Sequence, residues 1–385
     1  MASNKKWSKI RCVSELMTRK HSKYQEIRQS LLSLNILGDL PAFNTRKYTP
    51  REYHTLLEHA SIKKMSIKQT SLMERFKGGW CPSPEQVMKC CRATTPERMT
   101  EFVNLALKSQ FNALSKSIQQ QFKKSGMLII DFHQDCYYGN NDNPHIRKSK
   151  TKKSTNQFYE YLTADLYSKH GNFTIAIVHR PLGSSIDSLV SQLFDLVRDV
   201  ISLKTVLFDG EFDSVRVLKL FEQEGLNYLG RKSRTPRVKM HLQAYKQREN
   251  WKESRQWHQI EMLSNKKRKK VVIVDICPQD VHGVMKVLVK SPGWDISPSQ
   301  ADKLYKKRFS IETGYRDKHK IQLFTCTKSL TTRLLIMLVS VQLWNCWQCF
   351  LVWIKCLKSY SGALPRDFLI QCTLNWIMLY MEEPL

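Results

Sequence analysis

The spacing of apolar residues changes near residue 126. Before it, apolar positions recur every three or four residues, the period of helices with one buried face. Pro50 opens such a stretch over 51–60 and Ser66 another, while Ser83-Pro84 supplies an N-cap and a first-turn proline for a third, Glu85 to Cys91. Gly78-Gly79-Trp80-Cys81-Pro82 separates the last two, which suits a helix-turn-helix or an ordinary helical hairpin. Thr95-Pro96 begins a longer helix predicted to run toward Gln121. From Gly126 short strand-like runs take over: Leu128–Phe132, Phe158–Leu166, Phe173–Val178, Val206–Phe208 and Leu226–Leu229. His170-Gly171-Asn172 reads as the turn of a hairpin. Between the later runs lie two helical patterns, Ser184–Ile201 and Ser214–Gln223, the second closed by Gly225.

The resulting order, β-β-β-α-β-α-β, is that of an α/β fold with a ribonuclease-H-like mixed sheet, in which the first and fourth strands lie side by side. Residues 231–295 interrupt it and read as a β-rich insertion, with apolar runs Val271–Ile276 and Val284–Val289. The predicted organisation is a helical DNA-binding domain over 1–122, a catalytic core over 123–230, the insertion over 231–295, a final core helix over 296–328 and C-terminal helices over 329–385. Two runs end in an acid: Met127-Leu-Ile-Ile in Asp131 and Thr205-Val-Leu-Phe in Asp209. Neighbouring strands sit ~5 Å apart, so both carboxylates can reach one metal. A buried carboxylate is costly unless paired or metal-bound, and oxygen ligands suit Mg²⁺. These acids point to metal-dependent DNA processing.

A third acid sits on a basic helix. Ser297-Pro298-Ser299-Gln300 forms a capping box, and at the helical repeat Tyr305, Arg308 and Glu312 fall within about 60° of one another. Arg308 can fork onto a phosphate while Glu312 holds metal, with Leu304, Ile311 and Tyr315 packing beside them. Asp135, Glu211 and Asp213 are rival acids; Asp213 is predicted to cap the helix from Ser214.

Charge sharpens this picture. The chain carries 62 Lys and Arg against 34 acids, a formal charge of +28, which selects a polyanionic partner, most often nucleic acid. The basic runs 148–153 and 266–270 are predicted to be loops that contact phosphate. Eleven cysteines without paired spacing, and a start without an apolar signal region, fit a reduced cytoplasmic protein. Leu334–Ile354 is uncharged and long enough to span a bilayer. Ser340, Gln342, Asn345 and Gln348 stripe it with polar groups, which predicts a buried helix and no membrane.

With this Tyr-x-x-Arg-x-x-x-Glu spacing and two earlier acids at strand ends, the chain resembles the DDE transposases of insertion sequences, in the group named for its YREK signature. The likeness covers about residues 50–355 and is most specific at the third block. It implies that Asp131, Asp209 and Glu312 hold two Mg²⁺ ions, with Mn²⁺ substituting. It also implies nicking of an element end by water, then attack of the freed 3′-hydroxyl on target DNA. The implied partners are double-stranded DNA, at the element ends and the target, and a second copy of the chain, in the nucleoid. Family members can stack a flipped base on a Trp, for which Trp251, Trp257 and Trp294 are candidates. The family's Lys falls at His319, leaving Arg316, Lys318, His319 or Lys320 to hold phosphate beside Tyr305 and Arg308. The alternatives are a ribonuclease-H-like nuclease without strand transfer and an inactive, transposase-derived DNA-binding protein.

Overall fold

The computed structural model describes residues 37, 39–140, 142–169, 171–246, 256–263, 270–281, 284–323 and 325–356. In chain order the helices and strands are α1 (Pro50–Lys63), α2 (Ile67–Phe76), α3 (Pro84–Arg92), α4 (Pro96–Asn112), α5 (Lys116–Lys123), β1 (Met127–Cys136), β2 (Arg147–Lys152), β3 (Thr155–Tyr167), β4 (Asn172–His179) and α6 (Ile186–Arg198). There follow β5 (Thr205–Phe208), α7 (Val215–Gln223), β6 (Asn227–Arg231), α8 (Pro236–Lys246), β7 (His258–Leu263), β8 (Lys270–Val281), β9 (Val284–Lys290), α9 (Pro298–Lys306), α10 (Phe309–Ile321) and α11 (Leu330–Cys356). The described residues form two compact units, one drawn from 1–122, 169–174 and 316–385, the other from 123–168 and 175–315.

The first unit is helical. Thr49 with Glu52 and Ser66 with Gln69 close capping boxes on α1 and α2, and Ser83 and Thr95 cap α3 and α4. The predicted long helix after Thr95 is two helices. Gln119 folds its side-chain amide back onto the carbonyls of Asn112 and Leu114, 3.1 and 2.8 Å away, satisfying groups freed where α4 ends. α11 packs on α4, α1 and α3, and its polar stripe makes specific contacts, though the Nε2 groups of Gln342 and Gln348 are buried without a hydrogen-bond partner. Asn345 takes both backbone groups of Thr174: Thr174 N donates to its Oδ1 at 2.9 Å, and its Nδ2 donates to Thr174 O at 2.9 Å. That amide pairs with a strand residue as a neighbouring strand would. Asn172 N donates to Gln348 Oε1 at 3.0 Å, and Gln110 donates to the Gln342 carbonyl at 3.0 Å. Asn345 is thereby repaid for leaving water. Among the described residues no helix is long and apolar enough to cross a membrane.

The second unit is built on a mixed sheet of order β2-β3-β1-β5-β6-β9-β8-β7, with β4 also pairing β3. β1 runs parallel to β5, the expected adjacency of first and fourth strands, with Met127 opposite Thr205 and Ile129 opposite Leu207. The insertion does contain strands, and it continues the same sheet, β9 pairing antiparallel with β6; it also contains α8, which the sequence did not announce. One basic run expected to be a loop is largely strand β2, antiparallel to β3. Its hairpin turn, Lys153-Ser154, has both φ angles positive, at 47° and 64°, without the Asn or Gly that normally marks such a turn. The other run, 266–270, has its side chains outside the described residues. Gly230 lies opposite Phe208, where a Cβ would stand 2.2 Å from the ring, so glycine here lets the last residue of β5 pack flat. One face of the sheet buries Met127, Ile129, Leu207, Leu229 and Leu288 against Ala301 and Tyr305 of α9 and Ile311 and Tyr315 of α10.

Two local expectations are corrected. Asp213 does not cap the helix after β5; Ser214 does, accepting from Val217 N at 3.3 Å. Asp213 is instead buried with Lys232, 2.6 Å away. The capping box at Ser297 and Gln300 forms as expected, but the helix it starts ends at Lys306 and Glu312 rides on the next one. Between them Lys307, Arg308, Ser310 and Ile311 each donate to the carbonyl three residues back. That tighter winding has three residues per turn, so Tyr305 and Arg308 come to eclipse one another.

Candidate active site

The parallel register places the two acids, but only Asp209 follows the last residue of its strand; Asp131, expected at a strand tip, lies midway along β1, which pairs with β3 as far as Cys136. From Ile129 opposite Leu207 the same offset puts Asp131 level with Asp209, on the same face as those two core residues. Each carboxylate is oriented by the amide that follows it: Phe132 N donates to Asp131 Oδ1 at 2.9 Å, and Gly210 N to Asp209 Oδ1 at 2.8 Å. Arg308 links the pair. Its Nη1 lies 3.2 Å from Asp131 Oδ2 and its Nη2 4.0 Å from Asp209 Oδ1. The guanidinium side chain is 3% exposed, against 15% for Asp131 and 43% for Asp209, so Asp209 is the more open acid.

Two tyrosines complete the frame. Arg308 Nε donates to Tyr305 Oη at 3.1 Å, and Tyr305 Oη donates to Asp209 Oδ1 at 3.4 Å. Burial drives the Tyr305 phenol well above its usual range, so it stays protonated and acts as a donor. Burial does the same to Tyr315, with the charges of Asp131 and Asp165 adding to it. Tyr315 donates to the Asp131 carbonyl at 3.2 Å and also hydrogen-bonds Thr163, the residue opposite Asp131 in the sheet. This tyrosine anchors α10 to the strand bearing Asp131, a role that its place as a packing residue in the sequence does not signal.

The third acid, Glu312, lies in α10 between Ile311 and Tyr315; its side chain lies outside the described residues. Of the basic residues further along that helix, Arg316 and His319 are exposed and Lys320 is half-buried. His319 Nδ1 lies 2.8 Å from Gln322 Oε1. Lys318 is buried, donating to Thr174 Oγ1 at 2.7 Å with the Trp344 ring 5.9 Å away. Of the rival acids, Asp213 is held by Lys232, and Glu211 is held 2.8 Å from Arg180. Trp257 donates its indole N–H to the Ile296 carbonyl at 2.7 Å, and it and Trp294 pack against the core cluster. Trp251 lies outside the described residues.

Oxygen ligands are what a hard divalent cation takes. Asp131 and Asp209 supply them side by side, and Arg308 already sits between them as a compensating positive charge. The two carboxylates are donors of the type a hard divalent cation takes, and Arg308 would have to give way where an ion binds both. Among the described side chains, which exclude that of Glu312, no group of three His, Cys, Asp or Glu comes together.

Fold and site together define a ribonuclease-H-like α/β protein with paired acids on adjacent parallel strands, one within β1 and one just past the end of β5. The sequence profile of the family described as Transposase DDE domain matches residues 137–340, just over half of the chain, and the chain belongs to that family. The match includes Asp209, Tyr305, Arg308 and Glu312 and begins shortly after Asp131. Among solved structures, the fold is similar to that of a piggyBac transposase in a cryo-EM synaptic complex with hairpin DNA, at 14% identity and a TM-score of 0.51, covering 88% of this chain and 74% of that one. A comparison with curated proteins gives no sequence match.

Proposed function

We propose that this member of the DDE transposase family cuts DNA at the ends of an element and joins them to a target, with Asp131, Asp209 and Glu312 as its catalytic acids. The observation that carries the reading is the convergence of Asp131 and Asp209, on two adjacent parallel strands, on Arg308. These three acids would hold two Mg²⁺ ions, or Mn²⁺ in their place. When bound, such ions lower the pKa of the attacking water and stabilise charge on the phosphate in transit. Tyr305, protonated, orients Asp209, and Tyr315 fixes the strand beneath Asp131. Arg316, His319 or Lys320 would grip the phosphate beside the cleaved bond; Arg308, engaged with Asp131 and Tyr305, would align the acids, and Lys318 is left out because its ammonium is engaged with Thr174. Double-stranded DNA is the substrate that the charge of +28 favours, and the similar piggyBac protein is described with hairpin DNA bound. Strand transfer, a homodimer on DNA, the YREK subgroup and a helical DNA-binding domain over 1–122 belong to the same proposal.

The test is substitution at the acids. Asp131→Asn, Asp209→Asn and Glu312→Gln should each abolish metal-dependent nicking of element-end DNA, while fluorescence anisotropy shows binding within about twofold of the parent, because affinity rests on Lys and Arg. Undiminished cleavage by one variant removes that residue from the site. Loss of cleavage, with no joining of a pre-cut 3′ end by the parent, would leave a nuclease without strand transfer.

A further inference from the structure

Below the acids, on the other face of the sheet, a single guanidinium ties together the segments that carry them. Arg180, which follows β4, is 5% exposed. Its Nη1 contacts Glu160 Oε2 of β3 at 2.7 Å and Glu211 Oε1 at 2.8 Å, the latter two residues after Asp209. Its plane lies 4.3 Å over the ring of Phe132, the residue after Asp131. Phe132 in turn stacks on Phe212, with centroids 4.8 Å apart and planes 9° from parallel. Glu160 is fastened as well, by Gln134 at 2.6 Å and Arg147 at 3.4 Å. Phe132 and the Gly210–Phe212 turn supply the amides that orient Asp131 and Asp209. The chain of contacts thus runs from Arg180, through a ring and an ion pair, to both carboxylates.

We propose that Arg180 is a positioning residue that sets the separation and aim of Asp131 and Asp209, with Glu211 serving as its tether on the Asp209 side rather than as a metal ligand. Arginine suits this task because its flat guanidinium stacks on the Phe132 ring while Nη1 bonds both carboxylates, and a lysine ammonium has no flat face to stack. The inference rests on the metal-dependent cleavage proposed above. Groups behind the ligands of a metal typically change affinity or activity 10–100-fold when removed.

The experiment measures nicking rate against Mg²⁺ concentration for the full chain, with thermal melting in metal-free buffer. Glu211 is half exposed, so Glu211→Ala should fold normally. It should raise the Mg²⁺ needed for half-maximal rate about tenfold, with an unchanged melting temperature. Glu211→Gln, which can still accept from Arg180, should restore most of the lost rate; a metal ligand would not be rescued. Arg180→Lys should resemble Glu211→Ala, and excess Mg²⁺ should recover much of the rate in both. Failure of Glu211→Gln to rescue, or an unchanged Mg²⁺ requirement in Glu211→Ala, overturns the inference. Asp131→Asn is run alongside. If it still cleaves, the reading of the site has failed; if it is dead while the Arg180 and Glu211 variants match the parent, the tether alone has failed.

Discussion

At the scale of residues, Asp131 and Asp209 stood out in the sequence because each closes an apolar run, although the end of an apolar run is not the end of a strand: β1 continues past Asp131 to Cys136. Tyr305 and Arg308 were legible from spacing, although the contact between them arises from a tight turn that an unbroken helical repeat does not describe. Arg180 and Tyr315 were hidden, since their partners are up to 184 positions distant in sequence and no local pattern links them. Tyr315 makes a sharp test. Tyr315→Phe keeps the ring packing and removes only the hydroxyl shared with Asp131 and Thr163. An unsatisfied buried partner costs about 1–3 kcal/mol, and the helix loosened is the one bearing Glu312. Nicking should fall by roughly tenfold or more, with DNA affinity unchanged. A rate equal to the parent would show that the hydroxyl does not position the site.

At the scale of elements, period and capping chemistry located most helices and the strands carrying the acids. Elements whose signals are missing were lost. β2 reads as a basic loop because five of its residues are exposed and its turn lacks glycine. Sequence reading sees turn chemistry, and here the hairpin is imposed by β3 despite an unfavourable turn. Left-handed backbone costs a non-glycine residue about 1–2 kcal/mol. Replacing Lys153-Ser154 with Asn-Gly should therefore stabilise the protein by about 1 kcal/mol, the glycine's own entropy offsetting part of the gain. Chemical denaturation checks this, and equal or lower stability would mean that the turn is not strained.

At the scale of the molecule, charge and buried polarity answer different questions. The stripe on α11 decided against a membrane span because a side-chain amide that completes a strand has no use for lipid. The charge of +28 favours a polyanionic partner and leaves its sequence preference open, since phosphate contacts position a protein without reading bases. It does make a quantitative demand. Each phosphate neutralised releases counterions, so log affinity falls with log salt at a slope of about −0.9 per contact. A transposase that grips an element end and a target through many basic residues should lose at least about a hundredfold in affinity between roughly 50 and 200 mM salt. The three acid-site variants should share the parent's slope, because they remove no cation. Neutralising 266–270 should flatten the slope by about one unit for each of its residues that meets a phosphate. A parent slope shallower than about −3 would put the basic excess elsewhere than on DNA, and an unchanged slope in the 266–270 variant would take that run out of the contact surface.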